Sequence, residues 1–226
     1  MPRVTIEAPA VMVAGFAAHV AHDLNNILTG ILGNLEMLQY RLSGAGDAKL
    51  SGYIDTACHA GGRAVTFTRR LQAFSGQGAA SHEAVPVERL LRDTLATMHL
   101  AERVTLRDET GGAATLLCHP CHAELALREL LQNAMEAVAQ SGDIVLSTAI
   151  RPDNRIAIEV RDSGHGMAAD ILARAGDLFF TTRQGGSGSG LGLAIAACFA
   201  QQAGGTLTLE SAPGAGCTAL LLLPRG

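Results

Sequence analysis

From Val11 to Leu42 the apolar residues Phe16, Val20, Leu24, Ile27, Ile31, Leu35, Leu38 and Leu42 recur in steps of three and four. That spacing lines up side chains along one stripe of a long amphipathic helix. "SGAGD" at 43–47 breaks the stripe with Gly and Ser, as turn chemistry does. A second stripe follows through Tyr53, Ala57, Ala60, Ala64, Phe67, Leu71 and Phe74. Gly61 and Gly62 weaken this helix, each by about 1 kcal/mol relative to Ala. Two long helices with a short turn make a helical hairpin, which buries little surface alone. Stripes this long predict pairing with a second copy, a homodimer built around a four-helix bundle.

"SGQGAASHEAVP" at 75–86 reads as a linker. Beyond it the pattern changes. "PVERLLRDTLATM" is a helix opened by Pro86, "VTLRDE" and "ATLLC" are strands, and "AELALRELLQNAMEAVAQ" is a helix closed by Ser-Gly. "DIVLSTAI" and "RIAIEVRD" form a hairpin, "GLGLAIAACFAQQAG" is a helix, and "GTLTLESAPGAGCTALLLLP" is a last hairpin. The fold class is therefore α+β: a helical hairpin over 1–78, then an α/β sandwich over 84–226 with helices on one face of a sheet. Aromatics make up only 4% of the 226 residues and Trp is absent, so small aliphatic side chains must fill the core.

The net charge is −4 with no polybasic run, which argues against nucleic acid or an anionic membrane as the main partner. No apolar stretch reaches the length of a membrane span, so no membrane insertion of this chain is expected. The apolar N-terminal patch is interrupted by His19 and runs into the helical pattern, unlike a signal peptide. Five scattered cysteines, an odd number, read as reduced thiols of a cytoplasmic protein.

Three motifs carry chemistry. "RDSGHGM" at 161–167 ends a strand at Asp162 and places Gly164 and Gly166 around one residue. Glycines let backbone approach a flat ligand, and the carboxylate can accept a hydrogen bond from an exocyclic amine such as that of adenine. "QGGSGSGLGLAIA" at 184–196 is a Gly-rich loop feeding a helix, and the free amides and positive helix end suit phosphates. It is neither a Rossmann fingerprint nor a P-loop. "ELLQNAMEA" puts Glu129 and Asn133 four apart on one helix face. An Asn oxygen can hold Mg²⁺ together with substrate phosphates.

In this order the three motifs resemble the ATP-binding domain of sensor histidine kinases, the Bergerat fold shared with gyrase-type and Hsp90-type (GHKL) ATPases. Asn133 matches the Mg²⁺-binding Asn of the N box. Asp162, Gly164 and Gly166 match the G1 box around adenine. "LFFTTR" at 178–183, with Thr181, Thr182 and Arg183, looks like the F box. "GSGLGLAI" at 188–195, with Gly188, Gly190, Leu191 and Gly192, looks like the G2 box. The resemblance also assigns Thr218, in the last hairpin, to the nucleotide site. Two departures stand out. Glu129 occupies a position that is Asn in many of these kinases; Glu there can activate water. The loop between Met167 and Gly185 is short, which implies a compact lid; Arg183 either reaches the phosphates or stays solvated.

"AHDLNN" at 21–26 resembles the H box of the dimerisation and phosphotransfer hairpin. His22 matches the phosphoacceptor, Asp23 the acidic residue that takes or orients the imidazole proton, and Asn26 the residue that positions water for dephosphorylating a partner. Position 22 falls off the apolar stripe of 20, 24, 27 and 31, so its imidazole should face solvent, neutral and nucleophilic near pH 7. His19 lies one turn earlier and has no third metal ligand near it in sequence. "CHPCH" at 118–122 fits a haem-attachment pattern, yet export and the second half of a zinc set are both missing, so it reads as a structural turn.

The resemblance implies ATP and Mg²⁺ as cofactors, a homodimer, and a response-regulator receiver domain as phosphoryl acceptor. The competing readings are a dimeric phosphotransfer scaffold with a non-catalytic ATP-like domain, and an anti-sigma-type kinase of the same nucleotide fold.

Overall fold

The computed structural model describes residues 1–8, 24, 28–40, 48–75, 82–98, 104–108, 114–138, 142–182 and 189–226. The chain forms two compact units. One is Ala10–Gln77; the other joins Met1–Pro9 to Gly78–Gly226.

In the helical unit, α1 covers 28–40 and α2 covers Ala48–Ser75. The Gln39 amide donates to Asp55 Oδ1 at 2.8 Å. Gly61 sits against Leu32, where an added Cβ would lie 2.5 Å from Leu32 Cδ2. Stepping back seven residues on α1 thus steps forward six on α2, so the helices run antiparallel. Ile54, Gly61 and Thr68 are buried at seven-residue intervals, the seam of a left-handed helix pair. This seam lies one position round from the expected stripe: Tyr53 is 72% exposed and Ala60 is exposed. Small Gly61 lets Leu32 close on the backbone, which draws α2 to that side. Leu24, Ile31 and Leu38 also repeat every seven residues, yet they stay 37%, 49% and 49% exposed.

The second unit is α+β. Its strands are β1 (Arg3–Ile6), β2 (Glu83–Pro86), β3 (Val104–Asp108), β4 (Thr115–Cys118), β5 (Ile144–Ile150), β6 (Arg155–Asp162), β7 (Thr206–Ser211) and β8 (Cys217–Pro224). Its helices are α3 (Val87–Thr97), α4 (Pro120–Val138), α5 (Ala169–Arg174) and α6 (Gly192–Gln202). Six strands make one sheet in the order β1-β7-β8-β6-β5-β3, and β2 pairs with β4 separately. Only β3 and β5 run parallel, which requires a crossover between them, and α4 lies in it. Alternate residues of the strands, such as Leu146, Ile158, Leu207 and Leu221, are buried. They belong to one core cluster with Leu127 and Leu131 of α4 and Ala196 and Ala200 of α6.

Three elements escape the sequence reading. Residues 1–9 do not belong with the hairpin, as the expected 1–78 boundary had them. They bring β1 to the edge of the sheet, paired antiparallel with β7 from Arg3↔Glu210 to Ile6↔Leu207. Residues 83–86, expected as linker, form β2 against β4. The six residues of α5 were not expected at all. All three are short, and a strand of four residues shows too few alternations to register as a period.

Strand β1 earns its place through Ile6, which is 6% exposed and lies against Gly176, where a Cβ would come within 2.6 Å of Ile6 Cγ2. Ile6→Ala is expected to lower the stability of this unit by roughly 2 kcal/mol, seen as an earlier midpoint in urea melts. Thr5→Ala, on the exposed face of the same strand, leaves the midpoint unchanged.

Candidate functional site

Helix α4 organises the site. Glu129, Asn133 and Ala137 follow one another at four-residue steps and share one face. Eight residues of helix span about 12 Å. At one end, Gly192 opens α6 so close that a Cβ would lie 2.9 Å from Glu129 Oε2 and 3.5 Å from Asn133 Nδ2. At the other end, a Cβ on Gly164 would meet the Ala137 backbone at 2.5 Å, and His165 N–H donates to the Ala137 carbonyl at 3.3 Å. The three motifs, far apart in sequence, thus line one side of a single helix. Glu129 is 5% exposed.

Asp162 closes β6 and is 7% exposed. Its Oδ1 accepts from the Gly164 amide at 2.8 Å and the Cys217 amide at 3.2 Å. Burial raises its pKa above the ordinary carboxylate value, against the two amide bonds and the nearby His165. Gly166 adopts φ 63°, and a Cβ there would strike the Ala212 carbonyl at 2.0 Å, so the turn after β6 and the turn after β7 fit together only without a side chain.

Strand parity corrects one expected site residue. Asp162 pairs directly with Cys217, and Arg161 with Thr218. Directly opposed residues share a face of the sheet, and their neighbours point the other way. Cys217 therefore stands on the side of Asp162 and the helices. Thr218 lies on the opposite face, beside Thr208, Leu220 and Leu222. The sequence reading missed Cys217, whose thiol is pushed up to about 12 by burial and by the Asp162 charge. The signal that could have found it is its place directly after Gly216, opposite the end of the Asp162 strand.

The ends of the lid also meet. Phe179 N–H donates to the Gly190 carbonyl at 2.9 Å. Both residues have positive φ, 63° and 64°, a conformation natural to Gly190 and strained at Phe179. Arg174 stacks 4.1 Å over the Phe180 ring and pairs with Asp177 at 3.4 Å. Thr181 and Thr182 follow, exposed. Leu191 is 2% exposed and anchors the start of α6. Arg183 and Gly188 lie outside the described residues, as do His19, His22, Asp23 and Asn26.

The "CHPCH" stretch joins β4 to α4. His122 is buried, lies 4.5 Å from the His119 ring, and reaches Gln202 of α6 at 3.3 Å. Burial and His119 lower its pKa, and the Cys118 thiol is pushed up to about 11 by burial. Among the described residues, no group of three or more His, Cys, Asp or Glu is placed to hold a metal ion. The stretch ties the start of α4 to the end of α6.

Comparison with known proteins bears on the whole chain. Residues 119–226 match the family described as histidine kinase-, DNA gyrase B-, and HSP90-like ATPase. Residues 12–78 match the His Kinase A (phospho-acceptor) domain. The sensor protein FixL of Bradyrhizobium diazoefficiens is 30% identical over 92% of this chain and 43% of its own length. The sensory histidine kinase/phosphatase NtrB of Rhizobium meliloti is 27% identical over 92% of this chain and 58% of its own length. The chain thus spans about half the length of these relatives. A crystal structure of full-length ShkA with AMPPNP shares the fold at TM-score 0.73 and 23% identity, covering 95% of this chain and 46% of that one. The mycobacterial sensor histidine kinase MprB covers 64% of this chain and 97% of its own at TM-score 0.55 and 19% identity.

The buried Asp162 carries a testable energetic signature. A carboxyl whose folded pKa is raised penalises the folded state wherever it is ionised, and the penalty vanishes as pH falls below the folded pKa. Asn keeps an oxygen for both amides and removes the charge. Asp162→Asn is therefore expected to raise the melting temperature at about pH 7, with the gain shrinking as pH falls toward about 4, in thermal melts of the ligand-free chain.

Proposed function

The chain belongs to the histidine kinase family, with a phospho-acceptor hairpin followed by an ATPase domain, and on that premise we propose that it is the catalytic core of a two-component sensor kinase. In this reading it binds ATP, phosphorylates its own His22, and passes the phosphoryl group to an aspartate of a response-regulator receiver domain. The observation that carries the reading is the single face of α4, which brings the Gly192 helix start, Asn133 and the Asp162 turn to one side of the helix.

The residues divide the work along that face. Asp162 takes the adenine end: two amides converge on Oδ1, leaving Oδ2 to accept from the exocyclic amine. Gly164 and Gly166 let the base lie flat against backbone. The amides at the start of α6, with Gly190, Leu191 and Gly192, face the phosphates. Glu129, beside Gly192, orients a proton or a water near the γ-phosphate. Asn133 is the residue that would hold Mg²⁺ with the nucleotide, and its position beside Gly192 suits that role. When bound, Mg²⁺ spreads the charge of the β- and γ-phosphates.

Transfer follows from the hairpin. A neutral His22 imidazole attacks the γ-phosphorus, the bond to the β-phosphate oxygen breaks, and ADP leaves; Asp23 takes or orients the proton released from the ring. Asn26 would position water for removing phosphate from the partner. Thr181, Thr182, Arg183 and Gly188 complete the lid in this reading, and Thr218 has no part in it. The heptad of Leu24, Ile31 and Leu38, exposed on one chain, supports a homodimeric four-helix bundle that also docks the receiver. No helix among the described residues is long and apolar enough to cross a membrane.

Two measurements test this. Purified chain incubated with Mg²⁺ and γ-labelled ATP should take up acid-labile, alkali-stable label, lost in His22→Gln and kept in His19→Gln. Label that persists in His22→Gln would sink the assignment, and nucleotide binding without label would favour the anti-sigma-type alternative. Separately, Ile31→Glu should convert a dimer to a monomer in sedimentation equilibrium; a dimer that survives it would move the interface off this heptad.

A further inference from the structure

Ser211, Cys217 and Asp162 stand side by side across three adjacent strands. Ser211 pairs with Cys217 in the β7–β8 ladder, and Cys217 pairs with Asp162 in the β6–β8 ladder. By parity all three face the helices. Ser211 is fully buried, at 0% exposure. Its hydroxyl accepts from the Met167 amide at 2.9 Å and donates to the Gly216 carbonyl at 2.7 Å.

Those partners sit in the two turns that carry the anchors of Asp162, the Gly164 and Cys217 amides. Met167 follows Gly166 and ends the turn after β6, so the first bond fixes that turn. Gly216 leads into Cys217, the first residue of β8, so the second bond fixes the peptide whose amide reaches Asp162 Oδ1. One further bond, Gly214 N–H to the His165 carbonyl at 2.7 Å, joins the same two turns. Without the Ser211 hydroxyl, the Met167 amide and the Gly216 carbonyl lose their partner, and a buried polar group left unpaired is costly enough for the backbone to shift.

We propose that Ser211 is a positioning residue for base selection: it touches no ligand, but it sets the orientation of Asp162 and so the preference for adenine over guanine. The proposal rests on the reading of Asp162 as the adenine acceptor. A site built around a hydrogen bond to an amine rejects a base that presents a carbonyl at that place. Guanine gains nothing from a well-aimed Asp162, so loss of aim weakens adenine binding selectively.

The test is calorimetric affinity of the full chain for ADP and for GDP, each with Mg²⁺, in wild type, Ser211→Ala, Ser211→Cys, Asp162→Asn and the Ser211→Ala/Asp162→Asn double variant. Wild type should prefer ADP. Ser211→Ala should lower the ADP/GDP affinity ratio about tenfold with GDP affinity little changed, Ser211→Cys should fall between, and Ser211→Ala should add nothing in the Asp162→Asn background. A ratio that stays at the wild-type value overturns the proposal, as does an equal loss for both nucleotides, the mark of a merely structural role. If Ser211→Ala does not melt cooperatively, Ser211→Cys decides by the same ratio. A wild type that binds ADP no better than GDP overturns the adenine reading itself, and that is seen before any variant is made.

Discussion

The packing of α4 onto the sheet is the contact on which the rest of the nucleotide-binding unit depends. One side of the helix is spent on burial: Leu127, Leu130, Leu131, Ala134 and Val138 are all at most 4% exposed. A helix that commits one face to the core holds its other side chains at fixed bearings. That is why Glu129 and Asn133 are positioned at all. Their placement needs no loop, and rigid elements hold functional groups more closely than loops do. The Gly-rich segments then come to the helix, through Gly192 at one end and Gly164 at the other.

The composition serves this geometry. With few aromatics, the second helix layer is made of alanine: Ala194, Ala196, Ala197 and Ala200 of α6 are nearly inaccessible. Small side chains let α6 pack close to α4, and a close approach is what brings Gly192 within contact of Glu129. A core of large residues would hold the helices farther apart and leave Gly192 without the carboxylate and amide beside it. The "CHPCH" stretch contributes to the same closeness from the far ends of these helices, through His122 and Gln202.

The sequence showed the long elements and the motif residues well, and it showed face and edge poorly. Periodicity identified both hairpin helices, but it could not say which of two apolar faces meets α2 and which stays open. Leu32 faces Gly61 of α2 while 24, 31 and 38 remained exposed, because Gly61 favours one approach. Short elements were invisible for a different reason. Strand β1 is stabilised by the β7 edge and by the space over Gly176, both supplied by residues some 170 to 200 positions away. Nothing local in R-V-T-I encodes that. The places of Asp162 and Asn133 were legible because each sits at the end or on the face of a strongly periodic element.

Thr218 shows the limit most sharply, since its error is a single residue. In a strand the side-chain period is two, so a shift of one moves a residue through the sheet. The last hairpin offers Ser211, Cys217 and Thr218 as polar side chains near the turn, and chemistry alone would choose the hydroxyl of Thr218. Register chooses otherwise. Asp162 opposes Cys217, and Cys217 opposes Ser211, so the hydroxyl on the helix side of the sheet belongs to β7 rather than β8. The thiol between them has little acidity in that setting and fills space that an ionised group could not occupy beside a buried carboxylate. The side of the sheet on which a residue falls therefore decides its role before its chemistry does. That side is fixed by the ladder starting at the G1 turn, where Gly166 and Gly216 allow the two hairpins to meet.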